Sequence, residues 1–210
     1  MSEFTALTKN ADTKNRKHVS KKSVYSYKGE ILKVNAKKSG IYTPMLKKMI
    51  EQLDIAINNN GRVLLIRFDL HQASYTADNK RMTNFRKRIK YQLDKAYKVT
   101  QIGYTWAREQ DKAKAQHYHW CIWLSGDVVR YPSKLLQILK MIWDDMGGTL
   151  YTPKNCYYFI DNPNERLNAI YRLSYLAKVR GKGFRDAQTK DYQTSRLVSK
   201  VKGVGSIINY

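Results

Sequence analysis

Three β-rich runs, separated by polar loops and amphipathic helical segments, constrain the fold of this chain most strongly. The runs cover residues 62–70, 101–109 and 116–124, and a shorter run follows at 156–160. The second and third are separated only by the polar residues 110–115, a length that suits a hairpin loop. We therefore predict that these two runs form an antiparallel pair of strands.

Apolar residues recur at helical spacing between these runs. Helices are predicted within residues 43–60, 79–98, 133–146 and 162–180, where Asn162-Pro163 opens the last and Gly181 breaks its pattern. From residue 62 onward the order is β, α, β, β, α, β, α. This order predicts an α+β fold, in which helices cover a mainly antiparallel central sheet.

The composition predicts a polyanionic partner. The chain has 39 Lys and Arg against 17 Asp and Glu, a formal net charge of +22. Residues 1–40 are rich in Lys, Ser and Asn, which predicts a flexible basic arm before a domain at 41–210. No apolar run reaches the roughly 18 residues of a membrane span, and no secretory leader is visible. We expect a cytoplasmic protein without a membrane partner.

The octapeptide HYHWCIWL, residues 117–124, carries the most specific chemical signal. Side chains on a strand alternate between the two faces, so His117 and His119 project to the same side. Two imidazoles one strand step apart can chelate one cation. An isolated H-x-H pair is also typical of polar residues on an exposed sheet face, and this alternative stays open here.

A third ligand is expected from the neighbouring strand. Glu109 lies across the hairpin loop from His117, and a carboxylate with two imidazoles suits a Mg²⁺ or Mn²⁺ site with open positions. His71, just past the first β-rich run, is an alternative third ligand. A zinc site that uses Cys121 and Cys156 is a further alternative, although their spacing does not match paired C-x-x-C ligands.

The last predicted helix contains a second chemical signal, the segment YRLSYLAK at residues 171–178. Tyr171 and Tyr175 are four residues apart and therefore lie one turn apart on the same helix face. Lys178 is three residues past Tyr175, where an ammonium can stabilise negative charge on a phenol oxygen and on a phosphate. The alternative is a tyrosine stripe that packs the helix on the sheet.

Together the two motifs resemble the HUH superfamily of rolling-circle replication initiators. These have a histidine–hydrophobe–histidine strand followed by a Y-x-x-x-Y-x-x-K helix. The chain is most similar to the inovirus gene-two-type replication proteins of phages and prophages, with WAREQ before HYHWCIWL and then YRLSYLAK. The resemblance covers approximately residues 60–180 and implies an HUH/RRM-like palm. The first run lacks the Thr-rich signature found in several initiator families.

The resemblance implies metal-dependent nicking of single-stranded DNA through a 5′-phosphotyrosine, which starts rolling-circle replication of a phage, prophage or plasmid in a bacterial host cell. It assigns His117, His119 and Glu109 to the metal and Tyr175 to the nucleophile. Tyr171 is then a candidate second nucleophile, and Lys178 assists the phenol. It also implies a replication origin as substrate and a host helicase and polymerase as further partners.

Basic clusters are expected to contact the DNA backbone. These candidate DNA-binding residues are Arg86, Lys87, Arg88, Lys90, Arg180, Lys182 and Arg185. A transposase or relaxase of the same chemical class would use the same residues. A non-catalytic protein that binds single-stranded nucleic acid, or regulates its own operon, would need neither metal nor phenol.

Overall fold

The computed structural model describes residues 18–99, 101–110, 115–186 and 188–200. The helices of this part are α1 (Thr43–Asn60), α2 (Lys80–Tyr97), α3 (Pro132–Asp145) and α4 (Pro163–Ser174). The strands are β1 (Val19–Ser20), β2 (Val24–Tyr27), β3 (Glu30–Lys33), β4 (Ile41–Tyr42), β5 (Val63–Gln72), β6 (Gly103–Glu109), β7 (His117–Ser125), β8 (Gly148–Tyr151), β9 (Tyr157–Ile160) and β10 (Tyr192–Thr194). None of the described helices combines the length and apolar character needed to cross a membrane.

A six-stranded antiparallel sheet forms the centre of the fold. Its strand order is β10–β6–β7–β5–β8, and β9 pairs with the other end of β5. The predicted hairpin of β6 and β7 is present, and β7 also pairs antiparallel with β5 along nine residue pairs from Val63↔Ser125 to His71↔His117. The expected α+β fold with a mainly antiparallel central sheet is therefore confirmed.

Helices cover both faces of the sheet, and each face has its own hydrophobic core. Cys121 and Trp123 of β7 belong to the core that contains α1 and α4. Trp120 and Ile122 belong to the core that contains α2 and α3. Because strand side chains alternate, His117 and His119 must face the α1 and α4 side. The division of β7 between two cores thus fixes where the histidines point.

Residues 18–40 are part of the folded domain. β1 pairs with β4, β2 and β3 form a hairpin, and Leu32 and Val34 are buried. The prediction of a flexible arm over residues 1–40 is therefore wrong for this segment. Its few apolar residues are scattered among Lys and Ser, so they formed no recognisable cluster in the sequence. Residues 1–17 lie outside the described part of the chain.

The helix that carries the tyrosines ends earlier than its sequence pattern predicted. α4 stops at Ser174, and residues 177–179 then run alongside residues 40–42. The backbone N–H of Tyr42 donates to the Ala177 carbonyl at 2.8 Å, and that of Val179 donates to the Gly40 carbonyl at 3.2 Å. The helix therefore ends before Gly181, because residues 177–179 pair with residues 40–42 instead. No local sequence signal predicts this pairing.

Candidate active site

Three neighbouring strands bring polar side chains to the sheet face that α1 and α4 cover. Residues opposite each other on paired strands share a face. His117 of β7 lies opposite Glu109 of β6 on one side and His71 of β5 on the other. His119 lies opposite Asp69 of β5. The sheet register therefore places two carboxylates around a histidine pair.

Glu109, His117 and His119 form a compact group of metal-ligating side chains. One ligand atom from each residue lies within 4.8 Å of those of the other two. The imidazoles of His117 and His119 have ring centroids 5.0 Å apart, and Nε2 of His119 is 3.3 Å from Oε2 of Glu109. The structure thus brings together the three residues that the sequence predicted as ligands.

Asp69 orients the central histidine. Its Oδ1 lies 2.7 Å from Nδ1 of His119, and both side chains are buried. A hydrogen bond from Nδ1 to the carboxylate would fix the tautomer that leaves Nε2 free to bind a cation on the Glu109 side. This carboxylate–histidine pair is a typical support for a metal ligand. Sequence reasoning did not identify Asp69.

The ionisation states of the site suit a cation. Burial and the nearby His119 lower the pKa of His117, which favours a neutral imidazole. Burial would raise the pKa of Glu109, but hydrogen bonds and charges from His119 and Lys182 lower it to about 2, so this carboxylate is ionised. Burial opposes the charged form of His119, whereas hydrogen bonds to Asp69 and Glu109 raise its pKa. In the metal-free protein, these two carboxylates therefore favour the protonated form of His119.

Lys182 supplies a buried positive charge next to Glu109. Its Nζ is 2.7 Å from Oε1 of Glu109 and 2.5 Å from the carbonyl oxygen of Lys178. The prediction that Lys182 contacts a DNA backbone is thus corrected, because its side chain is only 9% exposed. The two carboxylate oxygens of Glu109 have different partners, Lys182 on Oε1 and His119 on Oε2.

Gly181 closes the loop over this carboxylate. Its carbonyl accepts a hydrogen bond from the backbone N–H of Gln110 at 2.8 Å, and its φ is +70°. A Cβ atom placed on Gly181 would lie 3.2 Å from Cβ of Glu109. The site therefore requires glycine here both for its left-handed backbone and for its close approach.

Tyr175, which directly follows α4, packs against the candidate ligand group of Glu109, His117 and His119. Its ring centroid is 5.3 Å from that of His119, and the two rings are edge to face at 80°. The guanidinium carbon of Arg67 lies 4.3 Å from the Tyr175 ring centroid, and the Lys178 ammonium lies 5.2 Å from it. A phenol, two cations and the candidate ligands therefore lie close together on this face of the sheet, and we refer to this group as the pocket.

The position of Tyr175 is fixed by the anchoring of α4. The Asn162 side chain caps the helix by accepting from the Glu165 N–H at 3.0 Å. Arg166 forms ion pairs with Asp54 of α1 at 2.8 Å and with Glu30 of β3 at 2.9 Å. These partly buried contacts hold α4 against both elements, so the residue that follows it is presented to the sheet.

Tyr171 occupies a different environment from Tyr175. It is 37% exposed, and its ring centroid lies 5.8 Å from the ammonium of Lys33. Tyr175, by contrast, is packed against the α1 and α4 core and touches His119. The two phenols are one helical turn apart, but Tyr175 is the one that the described contacts connect to the ligand group.

The alternative ligands fit this structure less well. His71 stacks on His117 with ring centroids 5.6 Å apart, but it does not belong to the described group of converging ligand atoms. Cys121 is fully buried, and burial raises the pKa of its thiol to about 12, which disfavours the thiolate that zinc requires. In the described part of the chain, the ligand group contains no sulfur.

The other candidate DNA-binding residues do not surround this pocket as one surface. Arg86, Lys87, Arg88 and Lys90 lie on α2, which packs on the opposite sheet face, and Arg88 is paired with Asp145. Arg185 is paired with Asp191 at 2.9 Å, while Arg180 is exposed after α4. These residues therefore do not form one continuous basic surface that leads to the pocket.

Sequence reasoning missed Arg67 and Asp69, although a signal was present. Both stand at alternate positions of an otherwise apolar run, LLIRFDL, so strand periodicity places them on one face. Residues 63–70 of this strand are all buried, and two charged residues on one face of a buried strand indicate a built polar site rather than a solvated surface.

The comparisons with known proteins identify a family. The family model described as "YagK/YfjJ C-terminal domain" matches residues 26–193. This span contains β3 to β9, all described helices and every residue of the candidate site, from Arg67 to Lys182. No curated protein and no solved structure matches the chain.

Proposed function

We propose that this chain, which belongs to the YagK/YfjJ C-terminal domain family, nicks single-stranded DNA through a 5′-phosphotyrosine intermediate. In this proposal Tyr175 is the nucleophile, and Glu109, His117 and His119 hold a divalent metal. The main observation that supports it is the packing of Tyr175 against His119, whose ring centroids are 5.3 Å apart. It joins two motifs that are distant in the chain and that the resemblance to HUH initiators assigns to one reaction.

The donor set fits a catalytic metal site rather than a closed structural one. Three protein ligands leave coordination positions for water or phosphate oxygens, and Asp69 supports the central histidine from behind. Mixed nitrogen and oxygen donors suit Mn²⁺, and Mg²⁺ is the alternative. A bound Mn²⁺ or Mg²⁺ would polarise the scissile phosphate and offset the charge that develops on its oxygens.

Tyr175 would perform a transesterification. Its phenol oxygen attacks phosphorus, the new Oη–P bond forms, and the bond from phosphorus to the 3′-oxygen breaks. The phenol loses a proton and the departing 3′-oxygen gains one, so no oxidant and no nucleotide cofactor is required. The products are a phosphotyrosine on the 5′ side and a free 3′-hydroxyl. Attack by a 3′-hydroxyl on the phosphotyrosine would reseal the strand.

The cations around Tyr175 would assist this step. Arg67 lies over the ring, held by its ion pair with Asp69 at 3.3 Å, and the half-buried Lys178 also lies near the ring. Both would stabilise negative charge on the attacking oxygen and attract the phosphate. Tyr171, which is more exposed, would be available for a second transfer.

The site supports a reaction class, and the biological setting comes from the resemblance. Initiation of rolling-circle replication at a phage, prophage or plasmid origin is our proposed role. Transposition and conjugative mobilisation use the same chemistry on other DNA partners. These settings would differ in the sequence that is nicked rather than in the residues of the pocket.

The test is adduct formation. The full chain is incubated with single-stranded oligonucleotides of varied sequence and Mn²⁺ or Mg²⁺, and the products are separated under denaturing conditions. We expect a covalent protein–DNA species that EDTA abolishes, together with a released fragment that ends in a 3′-hydroxyl. If no sequence yields an adduct with either metal, the non-catalytic binding protein becomes the better account.

A further inference from the structure

A cleft of about 670 Å³ lies on the sheet face opposite to the candidate active site. Its walls are α2, the loop before β6, strand β6 and the segment that continues from β10. Its volume falls within the roughly 300–1,000 Å³ of sites that bind small ligands. The proposed nicking reaction makes no use of this cleft.

The charge of the cleft has one sign. Arg86, Lys87, Lys90 and Arg196 line it, and none of the described lining residues is an Asp or Glu. Lys87, Lys90 and Arg196 are exposed. When a cleft is lined by cations and by no carboxylates, the electrostatic potential inside it is strongly positive. The cleft is therefore complementary to an anion.

Arg86 is held in place as a fixed cation. Its Nη1 donates to the Tyr104 hydroxyl at 2.7 Å, and its guanidinium carbon lies 5.7 Å from the Tyr104 ring centroid. Lys90 is four residues later on α2, so the two charges are one helical turn apart on the same face. Two cations at this spacing suit consecutive phosphates of one strand better than a single phosphate.

The floor of the cleft is apolar. Val99, Ile102, Ile122, Tyr104 and Trp120 contribute to its lining. Val99, Tyr104, Trp120 and Ile122 are buried, so the accessible apolar surface of the cleft comes from Ile102, Leu197 and the exposed Val198. An apolar floor under a basic rim suits a ligand with flat bases and a phosphate backbone. A planar anionic membrane would meet the rim but could not fill the concave floor.

We propose that this cleft binds a segment of single-stranded DNA, as a second site separate from the metal-ligand pocket. The net charge of +22 favours a polyanion over a free nucleotide. This inference does not depend on the proposed nicking, because neither the metal ligands nor Tyr175 takes part. A DNA strand bound in this cleft would run along the sheet face that is opposite to the candidate active site.

The test measures binding of a fluorescent oligothymidylate of about 15 nucleotides by anisotropy in EDTA, over a range of salt concentrations. EDTA prevents the proposed nicking, so a failure of that reaction does not affect the result. The test variant is the double substitution Arg86→Gln and Lys90→Gln. The control variant, Lys134→Gln and Lys140→Gln, removes two exposed charges from α3 on the same sheet face, outside the cleft.

We expect the cleft variant to bind the oligonucleotide roughly tenfold more weakly. Because it loses two phosphate contacts, the magnitude of the slope of log K against log salt should fall by about 1.4. The α3 variant should keep the wild-type slope. Photocrosslinking of a bromodeoxyuridine oligonucleotide should label peptides that contain residues 99–104 or 193–198. Equal losses in both variants, an unchanged slope in the cleft variant, or crosslinks confined to the α4 side would each overturn the proposal.

Discussion

The His119 ring lies between two carboxylates, with Nδ1 2.7 Å from Oδ1 of Asp69 and Nε2 3.3 Å from Oε2 of Glu109. Asp69 comes from β5 and Glu109 from β6, so β7 lies between the two strands that hold its central histidine. In the proposed metal site, this arrangement would orient His119 before the metal binds, so Asp69 matters to the proposal as much as the candidate ligands do.

Asp69→Asn should weaken Mn²⁺ binding by about 10–100-fold. The amide can hold the ring in the wrong tautomer, and it removes the negative charge that supports the imidazole. Titration calorimetry, or the electron paramagnetic resonance signal of free Mn²⁺, would measure the affinity. Asp54→Asn is the matched control, because Asp54 pairs with Arg166 between α1 and α4, away from the ligands. Equal Mn²⁺ affinities in the two variants would show that Asp69 does not support a metal ligand.

Lys182→Met should lower the thermal stability of the metal-free protein, because it leaves the ionised Glu109 without its buried cation. Breaking a buried ion pair typically costs about 3–5 kcal/mol. Mn²⁺ replaces the missing charge, so it should raise the melting temperature of this variant more than that of the wild type.

The control for Lys182→Met is Arg166→Met, which breaks another partly buried ion pair, with Asp54. This variant should also be destabilised, but Mn²⁺ should raise its melting temperature only as much as that of the wild type. Differential scanning fluorimetry with and without Mn²⁺ distinguishes the two. A metal response in Lys182→Met that matches Arg166→Met would show that Lys182 does not act on a metal site.

Gly181→Ala and Gly61→Ala form a matched pair that separates backbone strain from contact with the site. Both glycines have a positive φ, at +70° and +71°, so each substitution should lower the unfolding free energy by about 1 kcal/mol or more. A Cβ on Gly61 meets nothing within 4 Å, whereas one on Gly181 presses on Glu109. Only Gly181→Ala should weaken Mn²⁺ binding. Chemical denaturation and metal titration of both variants check this, and equal metal affinities would contradict it.

Local periodicity was sufficient to predict the histidine pair and its facing carboxylate. The side-chain alternation in HYHWCIWL and the short loop of the β6–β7 hairpin place His117, His119 and Glu109 on one face. These inferences depend only on neighbouring residues and on a hairpin whose loop is a few residues long.

Strand periodicity marks Asp69 as a residue of a polar face, but the contacts between distant segments that complete the site could not be predicted. Asp69 meets His119 only because of the β5–β7 register, which joins segments fifty positions apart in the chain. Lys182 has the sequence context of a basic surface residue, and only the fold of the loop after α4 buries it against Glu109. Likewise β8 and β10 are short edge strands, with too few residues for a recognisable alternation.

The resemblance to HUH initiators rests on motif order, and the structure adds a spatial relationship that order alone does not guarantee. Tyr175 and His119 lie in the same pocket because α4 packs on the sheet face that the histidines occupy. Had α4 packed with α2 and α3 instead, the same motifs would be separated by the full thickness of the sheet. The proximity of these residues thus supports the proposed reaction independently of the motif match.

The most direct test of the central claim compares Tyr175→Phe with Tyr171→Phe on a single-stranded oligonucleotide that the wild type attacks in the presence of Mn²⁺. Each substitution removes only a phenol oxygen, and mass spectrometry of the digested adduct identifies the modified tyrosine. We predict that Tyr175→Phe reduces adduct formation by at least 100-fold, about 2.7 kcal/mol, whereas Tyr171→Phe retains it with the label on Tyr175. An adduct of undiminished yield in Tyr175→Phe would contradict the assignment of Tyr175 as the nucleophile.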